Sequence, residues 1–61
     1  MTAHELIKEL VANGWVENRQ KGSHRILKKE NNPLTLAVPD HGHKDLKPGL
    51  LSKLRRNGGL R

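Results

Sequence analysis

Apolar residues recur along the chain in two rhythms, and the change between them divides it into elements. Leu6, Ile7, Leu10 and Val11 repeat at one-turn spacing, which draws one face of a helix. Thr2 and Glu5 precede them at the capping-box spacing, in which each side chain satisfies the other's backbone N–H. Asn13-Gly14 supplies the stop, because glycine suits the left-handed residue that follows a helix. A helix over residues 3–13 is predicted.

From Trp15 the rhythm shortens. "WVENRQ" (15–20) opens with two strand formers and turns polar, and Lys21-Gly22 reads as a tight turn. "SHRILKK" (23–29) reads as a second strand, broken by "ENNPL", where Pro33 removes a donor and Asn31-Asn32 tolerate turn geometry. "LTLAV" (34–38) alternates, with Leu34, Leu36 and Val38 on one face. Pro39 ends this strand, and "DHGHKDLK" is a polar loop. Helical rhythm returns at Pro48, well suited to a first helical position, with Leu50, Leu51 and Leu54 as the apolar stripe. Asn57-Gly58-Gly59 terminates this helix, and Leu60 is available for the apolar contact that follows such a stop.

The order is therefore α-β-β-β-α, an α+β fold with a three-stranded antiparallel meander. Two amphipathic helices covering one face of the sheet bury these apolar residues economically and leave the other face open. Trp15, just past the first helix stop, is assigned to the core. The 61 residues are expected to form one domain, 1–61.

Composition narrows the function. A domain this small lacks the walls for deep substrate or cofactor pockets, so any catalysis belongs on a shallow surface, and no cofactor is expected. The chain has no cysteine, hence no disulfide framework or thiolate metal site, which fits a reducing cytoplasm. The longest apolar run is three residues, too short for a membrane span or a signal-peptide core. Net charge is +6, with pI near 10.4. Residues 1–17 carry Lys8 against Glu5, Glu9 and Glu17, while residues 18–61 carry eleven cations against Glu30, Asp40 and Asp45. So polarised a charge suggests a polyanionic partner, either nucleic acid or an acidic protein surface.

The basic stretch "RQKGSHRILKK" (19–29) holds the candidate chemistry. Where the polyanion is RNA, its own 2′-hydroxyl can attack the adjacent phosphate, so that cleavage needs no metal. The protein has to take the 2′ proton, steady the phosphoryl oxygens and protonate the leaving 5′ oxygen. An imidazole, with an unperturbed pKa of about 6.5, suits both proton transfers near neutrality. His24 is the candidate, the alternative being a solvated histidine of the turn. Lys21 lies across the turn from it, Arg25 follows it, and Lys28 comes four residues on. Alternation puts His24, Ile26 and Lys28 on one face and Ser23, Arg25 and Leu27 on the other. Periodicity leaves open which of these faces the helices cover. Gly22 serves the turn and lets a phosphate approach the backbone, and Ser23 is placed to orient a phosphate or His24. The pair in "HGH" (41–43) lacks the cysteine or carboxylates of a good metal site, so no metal is expected.

The motifs "GW", "KGSH", "VPDH" and "LKPGLLSKL", in this order and spacing, resemble the HicA family of toxins from bacterial type II toxin–antitoxin systems, over essentially the whole chain. The resemblance implies a fold like the double-stranded-RNA-binding domain. It also implies a metal-independent mRNA-cleaving activity (an mRNA interferase) centred on the histidine of Gly22-Ser23-His24, and a neutralising HicB antitoxin. It further makes His41, beside Pro39-Asp40, the candidate second acid or base, the alternative being a loop histidine that orders the turn into the second helix. Lys21, Gly22, Ser23, Arg25 and Lys28, grouped around His24, are the candidate RNA-binding residues. The chain departs from the family pattern where an aromatic residue often follows the motif histidine, since Ile26 and Leu27 stand there. Trp15 is the only aromatic residue, so base stacking on the sheet is not part of the expected site. The competing reading from charge and fold order is a non-enzymatic RNA-binding module using the same basic surface. Against it stands a histidine where phosphate binding alone would favour lysine or arginine.

Overall fold

A computed structural model describes residues 1–60. The elements are α1 (Ala3–Ala12), β1 (Trp15–Lys21), β2 (His24–Lys29), β3 (Thr35–Pro39) and α2 (Pro48–Asn57). The strands form an antiparallel sheet in the order β1-β2-β3. Trp15, Leu27, Leu36 and Val38 from one sheet face join Leu6, Ile7 and Leu10 of α1 and Leu54 of α2 in a single core. Both helices therefore lie on that face, and the opposite face is open, as the apolar spacing predicts.

Local chemistry sets the boundaries. The Glu5 N–H donates to Thr2 Oγ1 (3.3 Å) and the Thr2 N–H to Glu5 Oε1 (2.9 Å), completing the capping box. Asn13 caps the other end of α1, and Gly14 follows it at φ +97°. The β1–β2 loop is Gly22-Ser23, with Lys21 opposite His24. A first loop residue at positive φ (Gly22, +59°) followed by one at ordinary φ is the requirement of a type II′ hairpin turn. Ser23 thus belongs to the loop, and β2 begins one residue later than its sequence suggests.

Leu34 departs from expectation. It precedes β3, its N–H held by Asn32 Oδ1 (2.9 Å), and is 47% exposed. The turn through Asn31, at φ 63°, uses up the residue that alternation would have placed in the core.

The end of α2 locks the layers together. The Trp15 indole N–H donates to the Gly58 carbonyl at 2.9 Å, so the buried ring carries its polar atom to a partner. Gly59 (φ +78°) takes the left-handed position, with Leu60 N–H bonded to Arg55 O (2.8 Å) and Gly59 N–H to Arg56 O (3.2 Å), a Schellman stop. Gly58 has an ordinary φ and is required for another reason: a Cβ there would sit 2.5 Å from Leu10 Cδ2 and 3.1 Å from Leu54 O. The loop before α2 is tied to the start of α1 by Leu46 N–H to Met1 O (2.8 Å) and a bridge between Thr2 and Asp45.

Candidate nucleic-acid interface

Leu27, fully buried, decides which side of β2 the helices cover. Residues paired across antiparallel strands share a face, so the register draws the open side in three rows. Lys21, His24 and Pro39 form the row at the hairpin tip; Arg19, Ile26 and Ala37 form the next; Val16, Lys28 and Thr35 form the third. His24 is exposed on this face. Directly opposed residues in such rows have Cβ atoms about 4.5–5.5 Å apart, so Lys21 and His24 are near neighbours, with Lys28 two rows along the same strand.

The path of β1 makes this arrangement. Glu17 pairs with Leu27 and Arg19 pairs with Ile26, so Asn18 is an extra residue, a β-bulge. Before the bulge Trp15 and Glu17 face the helices; after it Arg19 and Lys21 face outward. Unbroken alternation from Trp15 would turn both cations toward the core. Arg19 is a residue that sequence reasoning did not single out. Trp15 and Lys21 are six residues apart, so they occupy opposite faces only because one residue is inserted between them.

Arg25 is not brought to His24. It lies on the helix side, paired with Val38 and Gln20 in the register. Its Nε and Nη2 donate to the two carboxylate oxygens of Glu17 (3.0 and 2.6 Å), and Nη1 donates to Asp40 Oδ2 (3.2 Å). Chiefly through the bonds to Glu17, these partners hold the guanidinium pKa above its ordinary value, against a smaller opposing effect of burial. Arg25 therefore clasps β1 to the residue that follows β3. The Asp40 N–H also donates to the Ser23 carbonyl (2.7 Å), binding the start of the His41 loop to the hairpin turn.

His41 is exposed, two residues beyond the partner of His24, and lines a cleft of about 430 Å³ with Lys44, Leu46, Lys47 and Leu50. A Cβ at Gly22 would meet nothing within 4 Å, so the space beside the turn is open. Ser23 is exposed at the tip. Among the described residues no three His, Cys, Asp or Glu side chains converge as a metal-ligand set, and no helix is long and apolar enough to cross a membrane.

The family model described as the HicA toxin of bacterial toxin–antitoxin systems matches residues 3–60. The chain belongs to the HicA toxin family. A comparison with individually curated proteins gave no match. HicA toxins are known as mRNA interferases, and membership in a toxin–antitoxin family gives this chain an antitoxin partner. The HicA match runs from the first helix through the Schellman stop of α2, so it takes in every element that builds the open face.

Proposed function

We propose that this HicA-family protein is a cytoplasmic, metal-independent endoribonuclease toxin that cleaves mRNA with His24 as general acid or base and is neutralised by a HicB-type antitoxin. The observation that carries the reading is His24 itself: an exposed imidazole on the uncovered sheet face, opposite Lys21 and on the strand face of Lys28.

The reaction is transesterification within the RNA. The 2′ oxygen forms a bond to the adjacent phosphorus as its proton passes to a base. The bond from phosphorus to the 5′ oxygen breaks, and that oxygen takes a proton from an acid. A 2′,3′-cyclic phosphate and a 5′-hydroxyl result. His24 serves one of these transfers, and His41 is the candidate for the other. Positioned proton transfer of this kind contributes about 10²–10⁴-fold in rate. Lys21, opposite His24, offsets charge on the phosphoryl oxygens, and Lys28, farther along the strand, holds the phosphate backbone. The open space beside Gly22 admits a phosphate, and the Ser23 hydroxyl is available to orient it. Arg25, committed to Glu17 and Asp40, positions the strand that carries His24. The antitoxin acts by covering the hairpin tip.

Expressing the protein in bacteria tests this. Growth arrest and mRNA loss are expected from the wild type and from neither the His24→Ala variant nor the wild type co-expressed with its antitoxin. A folded His24→Ala protein that still arrests growth and degrades mRNA contradicts the assignment.

A further inference from the structure

We propose that Arg19 is an RNA-binding residue, holding a phosphate next to the one presented to His24, and that the bulge at Asn18 serves to present it. The inference rests on the reading of the protein as an RNA-cleaving toxin and adds to it a contact and the backbone feature that makes that contact available.

Two independent observations carry it. The first is the reversal of phase in β1. The indole of Trp15 has to be inside, where it fills the core and bonds the Gly58 carbonyl. A regular strand leading from it would put Arg19 under the helices. The extra residue sends Arg19 outward instead, exposed beside Ile26, and two residues from Lys21 on the same strand face. That spacing along a strand is about 6.6 Å, so the two cations form a track rather than a single point. Bulges recur beside active sites because they re-aim side chains in this way.

The second is the sorting of charge between the two faces. The open-face rows contain Arg19, Lys21 and Lys28 and no carboxylate. Glu17 lies on the helix side and Asp40 just past the end of β3, where Arg25 holds both, while Glu30 follows β2 at the end away from the hairpin tip. No acidic residue in these rows competes for Arg19, leaving its fork of N–H donors for a bidentate bond to a phosphate, which a lysine does not make. The path traced by Lys21, Arg19 and then Lys28 runs along the sheet away from the hairpin tip, the course of a single strand whose scissile phosphate lies at His24.

Binding of a fluorescein-labelled single-stranded RNA to the His24→Ala protein, measured across a salt series, tests this. Wild-type cleavage of the same RNA is followed in parallel. In the His24→Ala background, Arg19→Gln is expected to weaken binding roughly tenfold and to reduce the slope of log K against log salt by about 0.7. Arg19→Lys should keep the slope while losing part of the affinity, and Lys8→Gln, which removes the same charge from α1, should change neither. Unchanged affinity and slope in both Arg19 variants, with Lys21→Gln lowering them, would overturn the role of Arg19 alone. Absence of cleavage and binding with the unsubstituted residues would overturn the RNA reading itself, and this inference with it.

Discussion

His24 and Arg25 are consecutive residues that β2 turns to opposite faces of the sheet, one to solvent and the other to a clasp between Glu17 and Asp40. One short strand thus carries both the candidate reactive group and the ion pairs that fix its surroundings. The division gives the two residues separable phenotypes.

Replacing Arg25 with glutamine removes the bidentate bond to Glu17 and the bond to Asp40. The groups are about a quarter to a third exposed, so solvent screening reduces the cost, and a loss of about 1–2 kcal/mol is expected. Denaturant melts measure it. RNA cleavage should fall because the hairpin and the His41 loop lose their common anchor. The salt slope of RNA binding should stay as in the wild type, because this guanidinium lies on the helix side, bonded to Glu17 and Asp40. A slope reduced as for an open-face cation would make Arg25 an RNA contact instead.

Gly58 is a packing residue, and its substitution acts on stability. The added methyl of Gly58→Ala meets Leu10 and the Leu54 carbonyl and presses on the bond from Trp15. Overpacking of this kind costs about 1–3 kcal/mol. The thermal midpoint should drop, and the fluorescence of the single tryptophan should report the disturbed core. At Gly22, where a side chain meets open space, the only penalty is the positive φ, so Gly22→Asn should be tolerated better in stability than Gly58→Ala.

The capping box makes stability sensitive to acid. The Thr2 N–H, with help from its hydroxyl, bonds the Glu5 carboxylate and holds its pKa below the ordinary carboxylate value. A group whose folded pKa is depressed contributes its stability above the unfolded pKa and loses it as pH falls through the folded one. The wild-type melting temperature should therefore decline through the acidic range by more than that of Glu5→Gln, with the two curves converging at the lowest pH. Parallel curves would mean that the cap contributes nothing titratable.

Most of the fold was legible because its signals are local. Thr2 and Glu5 announce α1, Pro48 and Gly59 bracket α2, and Gly22 marks the hairpin, each through chemistry confined to a few neighbouring residues. What alternation could not supply was phase. It correctly separated His24 from Arg25 but could not say which of them the helices cover, since that depends on Leu27 joining the core that Leu6 and Leu10 of α1 enter. It also has no means of registering an inserted residue, so the outward turn of Arg19 and Lys21 emerged only with the register at Asn18. Leu34 was misplaced for a related reason: the turn through Asn31 and Asn32 set where β3 begins.

The most direct measurement is incubation of purified protein with a defined RNA in the presence of a chelator, wild type beside a folded His24→Ala variant, with analysis of the fragment ends. The account predicts cyclic-phosphate and 5′-hydroxyl ends from the wild type and intact RNA from the variant. RNA that the wild type binds but leaves whole, or equal cutting by the two proteins, contradicts it.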